Sequence, residues 1–197
     1  MNPVARTTLP ATELTGLGLR LRLWREADAG AVVRAMNDRV FRDWNHLPGA
    51  ELMDEAAALD YIRARAERWA RGDQAAYCVT DGAGGAVLGQ VALQQIEPRM
   101  GHANVGYWLL PEARGRGVAT RAVELLTRWA FTDLGLHRLD LGHAVGNDAS
   151  CRVAERCGFA YEGLMRGFLP GPGGTYLDTH LHARLATDPA PAVSTAP

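Results

Sequence analysis

The 197-residue chain contains no lysine, so all 21 of its basic side chains are arginine. A Walker-type phosphate loop, G-x-x-x-x-G-K-[ST], is thereby excluded, because its lysine supplies the phosphate contact. The arginine bias itself reads as compositional and carries no functional weight. Cysteine is scarce: Cys78, Cys151 and Cys157 form an odd set without C-x-x-C spacing, which argues against a disulfide framework or a zinc site. Reduced, packed thiols and no metal are expected. No apolar run approaches the ~18 residues of a membrane span, and "MNPVARTTLP" has no apolar core of signal-peptide length. A cytoplasmic protein without membrane contact is expected. The formal net charge of −1 offers no electrostatic case for nucleic acid, so any basic site must be local.

Present instead is a globular composition, 47% hydrophobic and 22% charged, long enough for one domain with a substantial core. Residues 1–14 read as a flexible N-terminus, 15–185 as the domain and 186–197, "ATDPAPAVSTAP", as a tail too poor in apolar residues to fold. "LGLRLRLW" alternates as a half-buried strand, and a helix is expected from "READAGAVVRAMND". A second helix fits "MDEAAALDYIRARAERWARG", stopped by Gly72. The segments "AAYCVTD", "AVLGQVALQQIE" and "HANVGYWLL" read as a strand meander. Val118 to about Leu134 reads as a long helix, with Val118, Ala122, Leu125, Leu126 and Trp129 inward and Arg121, Glu124 and Arg128 largely outward. A strand at "HRLDLGHAV", a short helix at "NDASCRVAERCGF" and two strands at "AYEGLMRGFL" and "GTYLDTHLHARL" complete an α/β domain. Its mixed central sheet should hold about seven strands, with about four helices around it.

The junction "LLPEARGRGVAT" carries the chemistry. A strand ending at Pro111 passes through Gly115 and Gly117 into a helix, which would leave first-turn amide N–H groups free for a phosphate. Glycine lets the backbone approach a ligand and adopt conformations a Cβ forbids, and Arg114 and Arg116 add local charge. A tight turn with solvated arginines is the alternative. Gly115-Arg116-Gly117 also gives the G-x-G of a dinucleotide loop, but Thr120 stands where the third glycine belongs, and too little chain follows for a doubly wound sheet.

"Arg114-Gly115-Arg116-Gly117-Val118-Ala119" resembles the R/Q-x-x-G-x-G/A signature of the GNAT superfamily of acetyl-CoA-dependent N-acetyltransferases. The neighbouring "GYWLLPEARGRGVATRAVELLTRWAF", "GLHRL", "NDAS" and "RCGFAYEG" are similar to the branch containing ribosomal-protein N-terminal acetyltransferases. This resemblance implies that backbone amides from Arg114 through Gly115, Arg116, Gly117, Val118, Ala119 and Thr120 hold the coenzyme pyrophosphate. Trp108, Leu109 and Leu110 would pair with the pantetheine arm, a backbone N–H near Leu109 or Leu110 would hold the oxyanion, Asn147 would touch pantetheine, and Ser150 would donate a proton to the departing thiolate. Local signals alone make Asn147 or Asp148 a helix cap. Arg152 would reach the coenzyme phosphates or stay solvated.

The resemblance implies acetyl transfer to a primary amine, which must lose a proton. Relatives carry a glutamate where this chain has Asn104, and others have one where His143 stands. His143, with an ordinary pKa near ~6.5, is the expected base; His102, Glu97, Asp178 or a water chain are the alternatives. Trp44, His46 and Tyr176 would line an acceptor pocket, and Asp43, Glu51, Asp54 and Glu55 would attract a cation. His182 replaces a tyrosine common in similar proteins. The expected acceptor is a peptide N-terminus or a small amine, and the chain would be a monomer or homodimer. A silent coenzyme-binding module and a nicotinamide-linked oxidoreductase are the rival readings.

Overall fold

The structure, a computed structural model, describes residues 9–45, 52–83 and 85–193. Among them the chain forms β1 (Leu14–Gly16), β2 (Leu19–Arg22), α1 (Ala29–Met36), α2 (Arg39–Trp44), α3 (Glu55–Arg71) and β3 (Gln74–Asp81). It continues through β4 (Val87–Glu97), β5 (His102–Leu109), α4 (Val118–Thr132), β6 (Arg138–Ala144), α5 (Asp148–Arg156), β7 (Ala160–Pro170) and β8 (Tyr176–Leu185). The expected class holds, with one more strand and one more helix than the sequence suggested. The extra strand arises because "LGLRLRLW" folds back on the segment before it: Leu17 and Gly18, at φ 51° and 70°, make the turn between β1 and β2. The extra helix, α2, is only six residues long and too short for an apolar period to show. Asp38 caps it by accepting from the Phe41 amide at 3.0 Å.

Part of each end expected to be loose is packed. Leu9 is buried and its carbonyl accepts from Trp69 Nε1 at 3.4 Å, while the Thr12 carbonyl accepts from the Tyr77 hydroxyl at 3.0 Å. Ala186 donates its amide to His137. Glu124, expected on the outer face of α4, is fully buried and accepts from Arg184 at 2.7 Å and Arg128 at 2.7 Å. Paired charge of this kind is tolerated inside because each oxygen has a donor.

The eight strands lie in the order β1-β2-β3-β4-β5-β6-β8-β7. Every pairing is antiparallel except β5 with β6, which run parallel only where His102, Ala103 and Asn104 meet Arg138, Leu139 and Asp140. Beyond that point the two strands part. Each is held by its other neighbour, β5 by β4 as far as Leu109 and β6 by β8 as far as Ala144. The sheet thus opens as a wedge from the middle of β5. The main core lies under α4, where Trp69, Tyr77 and Trp129 interlock with centroids 4.9, 5.6 and 6.2 Å apart.

Candidate active site

A cleft of about 350 Å³ occupies the wedge between β5 and β6. One wall is the end of β5 with the glycine loop and the start of α4; the other is the start of α5. It is lined by Tyr107, Trp108, Leu109, Arg114, Gly115, Gly117, Val118, Ala119 and Thr120 from the first, and by Asn147, Ser150 and Arg152 from the second. The structure therefore brings together most of the residues expected from sequence to hold a coenzyme.

The loop owes its shape to backbone conformation, not crowding. Gly115 and Gly117 have φ 71° and 68°, and a Cβ on Gly115 would meet nothing within 4 Å. Left-handed φ selects glycine there, and the space that a side chain would fill stays open. No side chain caps α4, so its first-turn amides and the positive end of its dipole face the cleft.

Arg114 behaves differently from the expectation. Its guanidinium ion-pairs with Asp38 and donates to the Leu109 carbonyl at 3.0 and 3.2 Å, and its amide donates to Pro111 at 3.2 Å. It braces the loop, leaving phosphate contact to the amides that follow. Arg121, which sequence reasoning placed only on an outer helix face, supports the same loop by donating to the carbonyls of Leu17 at 3.0 Å, Arg116 at 3.1 Å and Gly117 at 3.4 Å. Arg156 joins Arg152 on the cleft rim.

The strand register separates Leu109 from Leu110. The Leu110 amide donates to Leu88 at 2.9 Å, and Leu110 is fully buried and outside the cleft. Leu88 and Leu110 therefore form a hydrogen-bonded pair, and alternation makes Gly89 and Leu109 the non-bonded pair. The Leu109 N–H consequently points away from β4 and into the wedge. Trp108 is fixed from the opposite side, its Nε1 donating to the Tyr61 hydroxyl at 3.3 Å, which donates to Gln90 at 2.9 Å.

On the second wall Asn147 accepts from the Ser150 amide at 3.2 Å and caps α5. Tyr107, which sequence reasoning passed over, reaches the same place: its buried hydroxyl has no hydrogen-bond partner. Burial pushes its pKa up to about 12, slightly opposed by the Ser150 hydroxyl nearby. Helix α2 roofs the cleft between the walls, with Asp38 on Arg114 at one end and Trp44 over Gly146 at the other, 3.7 Å from where a Cβ would stand.

His143 is not on the cleft wall. It is 5% exposed, with Nδ1 3.1 Å from the Ala144 carbonyl and Nε2 3.2 Å from His182 Nε2. Burial, with the neighbouring imidazoles, holds its pKa below the ordinary value. A base must reach the proton it removes, and this placement does not provide that reach. The alternatives fare no better. His102 bonds Asp140 at 2.9 Å, and with its strand neighbour Glu97 it lies at the far end of β5, roughly 20 Å along the strand from Trp108. Asp178 accepts from the Gly167 amide at 2.8 Å, and Asn104 donates to Gln95.

Of the expected acceptor residues, Trp44 lines the cleft, whereas Tyr176 is 71% exposed and apart from it. Asp54 is used as the cap of α3, accepting from Ala57 at 2.8 Å, and Asp43 lies 3.8 Å from Arg39. His46 and Glu51 lie outside the described residues.

The family model "Acetyltransferase (GNAT) domain" matches residues 18–160. The chain is 38% identical over 82 residues to the "Putative ribosomal N-acetyltransferase YdaF" of Bacillus subtilis, a match covering 42% of this chain and 45% of that protein. It is 32% identical over 101 residues to the ribosomal-protein-serine acetyltransferase of Escherichia coli, covering 50% and 55%. The chain thus spans about half the length of these curated relatives. Among solved structures, Mycobacterium smegmatis RimJ in complex with CoA-disulfide superposes with a TM-score of 0.80 at 23% identity, covering 91% of this chain and 89% of that one. The glycine loop, the wedge and the matched span of sequence agree: this chain belongs to the GNAT acetyltransferase family.

Proposed function

We propose that the protein transfers an acetyl group from acetyl-CoA to a primary amine, a peptide or protein N-terminus, by direct attack in a ternary complex. The observation that carries this reading is the meeting, in one cleft, of a wedge between parallel strands with an uncapped helix start behind two left-handed glycines. A pyrophosphate would sit on the amides of Gly115 to Thr120, with Arg152 and Arg156 at the rim. Pantetheine would run as an added strand along the open edge of β5, past Asn147. This orientation brings the thioester between Leu109 and Ser150.

Attack by the amine nitrogen forms the new C–N bond and places negative charge on the carbonyl oxygen, where the Leu109 N–H donates to it. When that intermediate collapses the C–S bond breaks and the electron pair leaves on sulfur. Ser150 gives the thiolate a proton, and the Tyr107 hydroxyl beside it, neutral at working pH, returns one to Ser150. The proton lost by the amine passes to water in the cleft, because no described carboxylate or imidazole stands on its wall.

The N-terminal acceptor is supported by the relatives named for ribosomal proteins and by the aromatic roof of Phe41 and Trp44. The test is thiol release from acetyl-CoA with peptides differing in the first residue, run beside aminoglycosides and polyamines, with acetylation located by mass spectrometry. Coenzyme binding without turnover on any amine would favour a silent binding module.

A further inference from the structure

Beneath the second wall of the cleft lies a group of side chains that acetyl transfer does not use. His143, Cys151, His180 and His182 each offer one ligand atom, and these four atoms all lie within 4.8 Å of one another. They come from three elements. His143 and His180 are direct partners in the β6–β8 ladder, His182 follows His180 at strand alternation on the same face, and Cys151 stands in the first turn of α5.

The chemistry of the two buried rings points to a cation. His143 Nδ1 faces the Ala144 carbonyl at 3.1 Å, and His182 Nδ1 faces the Phe159 carbonyl at 3.3 Å. Only an N–H satisfies a carbonyl, so in each neutral ring Nδ1 carries the hydrogen and Nε2 carries a lone pair. Those two Nε2 atoms are 3.2 Å apart, with His143 and His182 5% and 1% exposed. Two acceptors held together in a buried site repel unless something electrophilic lies between them. A tetrahedral ion with bonds of about 2.0–2.1 Å to nitrogen sets its ligand nitrogens roughly 3.3 Å apart. Backbone carbonyls on the distal ring nitrogens are also the usual support for metal-bound histidine.

We propose that His143, His180, His182 and Cys151 bind one divalent transition-metal ion of the zinc class. Three imidazoles and a thiolate suit borderline metals and disfavour magnesium or calcium. On binding, each imidazole donates its lone pair and the Cys151 thiol releases its proton to solvent. Four protein ligands make a closed, structural site. It would pin the β6–α5 turn, and with it Asn147 and Ser150, to β8. The sequence reading searched for C-x-x-C spacing and expected no metal; this set is dispersed over 40 residues and becomes visible only when the sheet is assembled.

The test uses the full chain, tag-free and stripped with chelator, titrated with cobalt(II) and in parallel with zinc(II). The expected result is saturation at one ion per chain, tetrahedral ligand-field bands and a thiolate-to-cobalt charge-transfer band. Cys151→Ser should abolish the charge-transfer band, and His180→Ala should weaken binding more than about 10-fold. Circular dichroism of each metal-free variant checks that it is folded. Absence of stoichiometric binding, or a cobalt spectrum unchanged by Cys151→Ser, would overturn the proposal. These readouts are independent of acetyl transfer, so failure of either reading leaves the other standing.

Discussion

Arg114 and Asp38 are ion-paired across 76 residues of sequence, with side chains only 31% and 15% exposed. The pair joins the roof of the cleft to its glycine loop. The arginine of the family motif is therefore a brace, and its effect on the coenzyme is exerted through the loop's backbone.

This arrangement predicts equivalence between the two partners. Arg114→Ala and Asp38→Asn should each weaken coenzyme A binding about 10-fold in calorimetry, and the double variant should be little worse than either, because neighbours acting on one contact are not additive. Unimpaired binding in Asp38→Asn beside weak binding in Arg114→Ala would mean that the arginine contacts phosphate directly.

The same pair has an acid signature. Burial pushes the Asp38 carboxyl up, but hydrogen bonds from Arg114 and the Phe41 amide outweigh it and hold the group below its ordinary value. With the folded pKa below the unfolded one, at about 3.9, its stabilisation is complete above that pH and is lost as pH falls through the lowered folded value. Asp38→Asn should remove this part of the acid-unfolding curve. A curve of unchanged shape would show that the ion pair contributes nothing to the folded state.

Two glycines of the site should respond in opposite ways. At Gly117 the nearest atom to an added Cβ is 4.0 Å away, so Gly117→Ala should cost only the left-handed conformation, about 1–2 kcal/mol. Gly117→Glu should leave the fold intact and abolish coenzyme binding by placing a carboxylate in the anion site. At Gly89 a Cβ would stand 2.2 Å from the Trp108 carbonyl and 2.9 Å from Leu109 Cα. Gly89→Ala should therefore force β4 from β5 and lower the Tm far more than Gly117→Ala does; equal melting temperatures would contradict the close approach.

On the second wall, Ser150→Ala should lower kcat about 10- to 100-fold with little change in KM for acetyl-CoA, since Asn147 and the loop remain. Tyr107→Phe should lower kcat less, as it removes only the hydroxyl behind the serine. If Tyr107→Phe left kcat unchanged while Ser150→Ala reduced it, the tyrosine would have no part in returning the proton.

What could be read in the sequence was what is local. Gly115, Gly117, Asn147 and Ser150 announce themselves because turn conformation and helix capping depend on a few adjacent residues, and α4 shows its apolar stripe over fifteen positions. Helix α2 lacks the length to show a stripe, so the roof of the cleft was not legible. Register was equally hidden: that Leu109 faces the wedge while Leu110 bonds Leu88 depends on how β4 aligns with β5. His143 shows the same limit from the other side. Strand alternation allowed it to face the cleft, and its actual neighbour, His182, lies 39 residues away on another strand.

The most direct test of the account is incubation of the purified chain with acetyl-CoA and peptides varied at the first residue, with thiol release measured and the acetyl group located by mass spectrometry. The account predicts acetylation of a peptide α-amine that Gly117→Glu eliminates and Ser150→Ala slows. Coenzyme binding without acetylation of any peptide, or acetylation undiminished in Gly117→Glu, would contradict it.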